Sequence, residues 1–413
     1  MKTNIILPIF ILLVAVITTS CENTEPVKKD PAKITLNYKS QQILEADRQF
    51  AFELFGKVNA LTEEDNYMIS PLSVSYALGM TMNGAAETTL DAFYDVLHFG
   101  DLTNLEVNES YKDLMDQLVH LDNKVEFSIA NSIWYKLGYH VLDEFINTNQ
   151  AYFDAAVREL DFSDPQAVDI INGWIEEKTN DKIKDMLDYI PSNAVMYLIN
   201  AIYFNATWKY EFDKSQTSEG PFYINEAGFT TADFMKVKGA FNYTVNDDFS
   251  AVEMPYGDST FSMVVMLPSG ERTTGDLISL MDHSQWNTWF ENSAVRNVQI
   301  ELPKFKYGFK ALLNDPLIDL GLEIAFSGGA DFSRITPGAD LYISRVIHQT
   351  FIDVQEEGTE AAAATIVEIR ETSAGGDSTP IFRADKPFLY VIKENSTGAF
   401  LFMGKVGMPV YGE

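Results

Sequence analysis

Residues 195–204 read VMYLINAIYF, a nearly unbroken apolar run interrupted by Asn200. A strand sends alternate side chains to opposite faces. Here both sets are apolar, so the run reads as a strand buried on both faces. Whatever the chain folds into must cover that strand from two sides. It has the material to do so: 413 residues, 46% hydrophobic and 13% aromatic. That content also excludes disorder as the main state.

Around this run, helical and strand patterns alternate irregularly, with no internal repeat and no long linker from residue 41 to 413. Ser70-Pro71-Leu72 predicts a helix start, with Ser as N-cap and Pro at the first helical position. The helix is expected to stop at Asn83-Gly84 in a left-handed turn. Ile171, Trp174 and Ile175 give helical spacing across 170–179. Residues 252–255 and 261–268 predict two strands about the turn Tyr256-Gly257-Asp258-Ser259. Residues 388–392 and 399–406 predict a hairpin about Asn395-Ser396-Thr397-Gly398. The expectation is one α+β domain over 41–413, large for a single unit.

Charge and motif content narrow the function. Thirty Lys and Arg stand against sixty Asp and Glu, a net charge of −30. Such a polyanion is repelled by phosphate backbones, so no nucleic-acid partner is expected. The one cysteine, Cys21, allows neither an intrachain disulfide nor a cysteine metal cluster. The five histidines form no His-Glu-x-x-His pair, and neither a Gly-x-Ser-x-Gly elbow nor a phosphate-binding loop is present. No metal, no cofactor and no enzymatic activity are expected.

The first twenty residues have the layout of a signal peptide: Lys2, an apolar run from Ile5 to Ile17, then Thr18, Thr19 and Ser20. The apolar run is short for a membrane span. Cys21, directly after the small residues, resembles the lipidated cysteine of a bacterial lipoprotein. That resemblance implies a lipid anchor at the bacterial cell envelope, on its periplasmic or surface side; without it the chain would be secreted. Residues 21–40, polar and with two prolines, read as a flexible tether.

The stretch EEGTEAAAATIVEIRETSAGG, 356–376, joins a helix former's alanines to a strand former's branched residues. Read as a strand, its odd positions Thr359, Ala361, Ala363, Thr365, Val367 and Ile369 are small or apolar. The even positions, from Glu360 through Ala362, Ala364, Ile366 and Glu368 to Arg370, include every charge. One face is built for burial and the other for solvent.

Several segments, in order, resemble the serpin family of serine protease inhibitors. Asn66-Tyr67-Met68-Ile69-Ser70-Pro71-Leu72-Ser73 resembles the start of its second helix. Leu198 to Phe204, followed by Trp208, resembles the central strand of its main sheet, and Leu302-Pro303-Lys304-Phe305 another sheet strand. Arg345 to Gln349, containing His348, precedes Glu356-Glu357-Gly358-Thr359-Glu360-Ala361-Ala362, which resembles the hinge of the reactive loop. Asp385-Lys386-Pro387-Phe388 and Phe402-Met403-Gly404-Lys405-Val406 resemble the C-terminal strands. The matches span about residues 42–410.

The resemblance implies a serpin fold: three β-sheets including a large central one, eight to nine helices, and an exposed reactive loop over about 356–384. It implies a monomeric suicide inhibitor of serine proteases and, as a second class, cysteine proteases. The protease cuts the loop, and the loop then enters the central sheet as a new strand, trapping the acyl-enzyme. The alternative is a non-inhibitory serpin acting as a binding or chaperone-like protein. Inhibition needs small residues at the hinge, and Thr359, Ala361, Ala362, Ala363 and Ala364 supply them. A charge forced under the sheet would cost several kcal/mol.

Counting from Glu356 by the family's pattern puts the cut bond at Thr372–Ser373, suited to an elastase-like or broad-specificity protease. Arg370–Glu371 is an alternative register, suited to a trypsin-like one. The fourteen residues from Thr359 to Thr372 reach about 46 Å as a strand. The family also implies a polar cluster under the sheet where it opens, from Ser70 or Ser73, Asn200 and His348. It further implies a Glu356–Lys304 pair beside Trp208 where the loop enters. Residues 85–125 hold only Lys112 and Lys124 against nine acids, so activation by a polyanion is not expected there.

Overall fold

In the computed structural model the apolar run, all but Val195, lies within one strand, Met196–Thr207, with every residue from Ile199 to Phe204 buried. Its two faces pack into different places. Ile199 and Ala201 join Trp134, Ile171, Trp174 and Ile175 in a small apolar layer under the helix Ala167–Lys178. Ile202, Phe204 and Ala206 join the main core. The two-sided cover required by the sequence is thus a helix on one side and the body of the protein on the other.

The structure describes residues 30–225, 228–338, 340–359 and 379–412. In chain order the strands are β1 (Asn66–Ile69), β2 (Val125–Lys136), β3 (Ala156–Leu160), β4 (Met196–Thr207), β5 (Ser218–Asn225), β6 (Gly228–Val245), β7 (Phe249–Tyr256), β8 (Phe261–Pro268), β9 (Ala294–Pro303), β10 (Phe305–Leu312), β11 (Ile347–Gln355), β12 (Gly358–Thr359), β13 (Ile381–Arg383), β14 (Phe388–Glu394) and β15 (Phe400–Val406). A six-stranded sheet has the order β10-β11-β12-β4-β2-β3. A nine-stranded one runs β1-β15-β14-β8-β7-β6-β9-β13, with β5 on β6. Nine α-helices accompany them among the described residues.

This is the α+β class expected, with the described strands in two hydrogen-bonded networks rather than three. The reason is β6. Its eighteen residues pair with β5 at one end, with β9 through Phe234–Tyr243, and with β7 at the other. One unbroken strand therefore joins what would be separate sheets. The stretch Leu302–Phe305 is a crossing, not a strand interior: β9 ends at Pro303 and β10 begins at Phe305 in the other sheet.

The helix Pro71–Met82 starts as expected, with Ser70 Oγ accepting from Ser73 N–H. It is buried at every position except Ala77, as a helix apolar on all faces requires, and the hydroxyls of its Ser73, Ser75 and Thr81 are each hydrogen-bonded. Its end corrects the expectation. Asn83 is right-handed, and Gly84 is not among the glycines of positive φ. Glycine is needed there because a Cβ would overlap the Ile335 side chain. At the N-terminus the body begins earlier than residue 41. Ile34 and Leu36 are buried, and the helix Tyr38–Leu61 is capped by Asn37. Among the described residues no helix is long and apolar enough to cross a membrane.

The close approach at Gly84 gives a direct test. Gly84→Ala should lower stability by about 1–3 kcal/mol through overpacking. Adding Ile335→Ala should cost less than the sum of the two single changes, read by chemical denaturation.

Candidate functional site

β11 and β4 flank β12, and the two-residue strand β12 sets the geometry of the site. Thr359 lies opposite Ala206 on one side and Val354 on the other, and Gly358 opposite Thr207 and Gln355. The segment expected as hinge therefore begins as a strand between two others. A side chain at Gly358 would overlap the Ala206 carbonyl and lie 2.7 Å from the Thr207 Cα, so only glycine lets the strands close here. Thr359, on the parity expected to face inward, is 3% exposed. Its hydroxyl lies 2.7 Å from the Tyr256 hydroxyl.

Trp208, Lys304 and Glu356, far apart in the chain, meet just above β12. Lys304 Nζ is 3.1 Å from Glu356 Oε2. The Trp208 backbone N–H donates to Glu357 C=O at 2.8 Å, and its indole Nε1–H donates to Gln355 C=O at 3.0 Å. Thr217 Oγ1 donates to Glu356 Oε1 at 2.8 Å. Burial would push the Glu356 carboxyl up, but the Thr217 hydroxyl, its own backbone N–H and Lys304 outweigh it and hold it low. Lys214 forms an ion pair with Glu357. Trp208 stacks on Tyr256 with ring centroids 4.3 Å apart.

The polar cluster lies six residues further along the same two strands, about 20 Å from the hinge. Asn200 is its centre: Oδ1 accepts from Ser73 Oγ, and Nδ2 donates to Asn131 Oδ1 at 2.6 Å. Of the two candidate serines, Ser73 meets Asn200 with its hydroxyl. Ser70 instead donates its hydroxyl to Leu401 C=O and its backbone N–H to His348 Nε2, at 2.7 and 3.0 Å. His348 thus joins the cluster through the backbone. Burial pushes its pKa down to about 4. It is neutral at pH 7, and since Nε2 accepts, the proton sits on Nδ1. A cavity of about 400 Å³ adjoins Asn200 and His348, between the helix Pro71–Met82, the start of β4 and the segment 340–348.

Thr217, Tyr256 and Asn131 were not foreseen. Thr217 lies 139 residues from Glu356, and Tyr256 lies 103 from Thr359; no local pattern marks such partners. The remaining hinge residues Glu360, Ala361, Ala362, Ala363 and Ala364 lie outside the described residues. So do both candidate bonds, Thr372–Ser373 and Arg370–Glu371, and Cys21. Of the loop expected over 356–384, the far end is described as β13, which pairs in parallel with β9.

Residues 45–409 match the model of the family described as "Serpin (serine protease inhibitor)". An uncharacterized serpin-like protein of Methanosarcina acetivorans is 36% identical, the match covering 97% of each chain. Human serpin B4 is 31% identical over 88% of this chain and 99% of its own. Among solved structures, the thermophilic serpin tengpin in its native state has a TM-score of 0.82 and 30% identity, over 92% of this chain and 98% of tengpin. Human thyroxine-binding globulin in complex with thyroxine has the same TM-score at 26% identity, over 90% of this chain and all of its own. The chain belongs to the serpin family. It is accordingly not an enzyme.

His348 yields a pH prediction. Its folded pKa lies below the unfolded value near 6.5, so its contribution is fully present above that pH and fades as pH falls toward 4. The loss amounts to about 3 kcal/mol. Asp47, pushed up to about 7 by burial, acts with opposite sign in the same window, so wild type must be compared with a variant. Denaturant midpoints of His348→Gln should fall less steeply between pH 6.5 and 4 than those of wild type.

Proposed function

We propose that the chain is a covalent suicide inhibitor of serine proteases, with cysteine proteases as a second target class, and that it acts as a monomer. One observation carries this reading. Gly358 and Thr359 already stand as the first rung of a strand between β11 and β4, and the next residues of Thr359's inward parity are Ala361 and Ala363. Nothing at these positions is large or charged enough to stall an entering strand.

The chemistry follows from an exposed bait. A protease serine hydroxyl attacks the carbonyl carbon of Thr372. The Thr372–Ser373 peptide bond breaks, the Ser373 amine leaves with a proton, and Thr372 remains esterified to the protease. Arg370–Glu371 is the second candidate bond, for a trypsin-like enzyme. Insertion competes with hydrolysis of that ester. Burying Val367 and Ile369 favours insertion by roughly 1.5–3 kcal/mol each. β4 and β11 are joined in the ladders through β12, and Ser70, Ser73, Asn200 and His348, which lie on or beside these two strands, can exchange partners as the new strand enters without being left unpartnered. Glu356, Lys304 and Trp208 hold the point of insertion.

A second reading is a binding serpin without inhibition, favoured by the likeness to thyroxine-binding globulin, solved as a complex with a small ligand. Denaturing gels separate the two. Incubation with elastase-like and trypsin-like proteases should give an SDS-stable complex at the summed mass, and mass spectrometry of the cut chain should place the bond. Ala363→Arg should abolish the complex and leave a cleaved substrate, since a charge under the sheet costs several kcal/mol. Cleavage without complex in wild type, and without a gain in melting temperature, would instead support the binding reading.

At the other end, we place residues 1–20 as a signal peptide and Cys21 as a lipidated N-terminus at the bacterial envelope. The layout of Lys2, the apolar run and the small residues before Cys21 supports this. Partitioning into detergent should be lost in Cys21→Ser.

A further inference from the structure

The end of the chain returns to the point where the loop enters. After β15, Gly407 and Met408 donate their N–H groups to Asn66 Oδ1 at 2.9 and 3.0 Å, and Asn66 Nδ2 donates back to Met408 C=O at 2.6 Å. Pro409 is buried. Val410 C=O accepts from Lys306 N–H on β10 at 2.7 Å. This path lays Tyr411 across the ends of β10 and β11. Its hydroxyl donates to Gln355 Oε1 at 3.0 Å. Its ring face lies 4.1 Å from Lys304 Nζ.

Both contacts fall on residues that frame the hinge. The Lys304 ammonium lies between the Glu356 carboxylate and the Tyr411 ring, with its side chain 15% exposed. A ring face attracts a cation, more so where water is excluded. A lysine has a long flexible stem, and here the ring limits where its charge can go. Gln355 is held from two sides, its backbone carbonyl by Trp208 Nε1 and its side chain by Tyr411. Gln355 itself lies opposite Gly358 in the β11–β12 ladder.

We propose that Tyr411 is a positioning residue for loop insertion: the C-terminal tail is a latch that fixes Gln355 and the Lys304–Glu356 pair, and through them the register in which the hinge enters between β11 and β4. The proposal rests on the inhibitory reading above. The protease attacks at the far end of the loop, so the latch leaves that first encounter unaltered. It acts afterwards, when insertion races against hydrolysis of the ester. A hinge that drifts enters late, and more of the protein is consumed as substrate.

The test separates these stages. In Tyr411→Ala, the moles of inhibitor consumed per mole of protease should rise about two- to fivefold, while the association rate constant stays unchanged. Tyr411→Phe keeps the ring face and loses the hydroxyl, so its ratio should lie between wild type and Ala. Tyr411→Trp should restore most of the cation contact. A lower melting temperature with an unchanged consumption ratio would overturn the proposal and leave Tyr411 a merely structural residue. If wild type traps no protease, the inhibitory reading fails, and the latch is then read without protease. A synthetic peptide with the sequence of residues 359–372 is incubated with each protein, and its uptake is followed by the shift in thermal unfolding. A changed uptake rate in Tyr411→Ala supports the latch; equal rates, or no uptake by either protein, overturn it.

Discussion

The two-sided burial of β4 is the constraint on which the rest of the structure depends. A strand with Ile199 and Ala201 on one face and Ile202, Phe204 and Ala206 on the other needs apolar cover above and below. The helix Ala167–Lys178 supplies one cover and the helix Pro71–Met82 belongs to the other. Asn200 interrupts this apolar surface and must find partners where it lies. It finds them in Ser73 and Asn131, so the polar cluster is anchored to the strand whose partner across the slot is β11. Loop insertion, as proposed, would disturb the sheet along an edge where polar groups are already available to exchange partners.

Much of this was legible in the sequence because it is local. The Ser70 cap, the helix after Pro71, the β7–β8 pair and the C-terminal hairpin each depend on residues a few positions apart. The inward parity of Thr359 follows from alternation alone. The meeting of Lys304, Glu356 and Trp208 came from family resemblance, since no spacing rule connects positions 52 or more residues apart. What escaped was set by tertiary contact. Gly84 looked like a turn glycine and is instead a site where Ile335 leaves no room for a methyl group. The continuity of β6 through two would-be sheets depends on three partners: β5 and β7 are its neighbours in the chain, but β9, which pairs with its whole middle, begins 49 residues after β6 ends, beyond the reach of any local pattern. Ile34 and Leu36 sit in polar surroundings in the sequence, and only the packed structure buries them.

The hinge and the polar cluster differ in electrostatic character although they share β4 and β11. Near the hinge, charge is retained: Glu356 is held ionised by Thr217, its own backbone and Lys304 against the effect of burial. At the cluster, charge is excluded: burial keeps His348 neutral with one tautomer selected by Ser70 N–H. The Lys304–Glu356 pair is nearly buried and so depends on its hydrogen bonds, whereas neutral donors and acceptors deeper in can be separated and re-paired at less cost.

The placement of β13, β14 and β15 has a consequence for what a protease leaves behind. Any cut between residues 360 and 378 divides the chain, but the shorter piece carries these three strands. β13 is zipped to β9, while β14 lies between β8 and β15, fully inside the nine-stranded sheet. The severed polypeptide therefore remains one particle, its two fragments interleaved as strands of a common core. Scission by itself does not release the shorter piece, and a denaturant is needed to part the two.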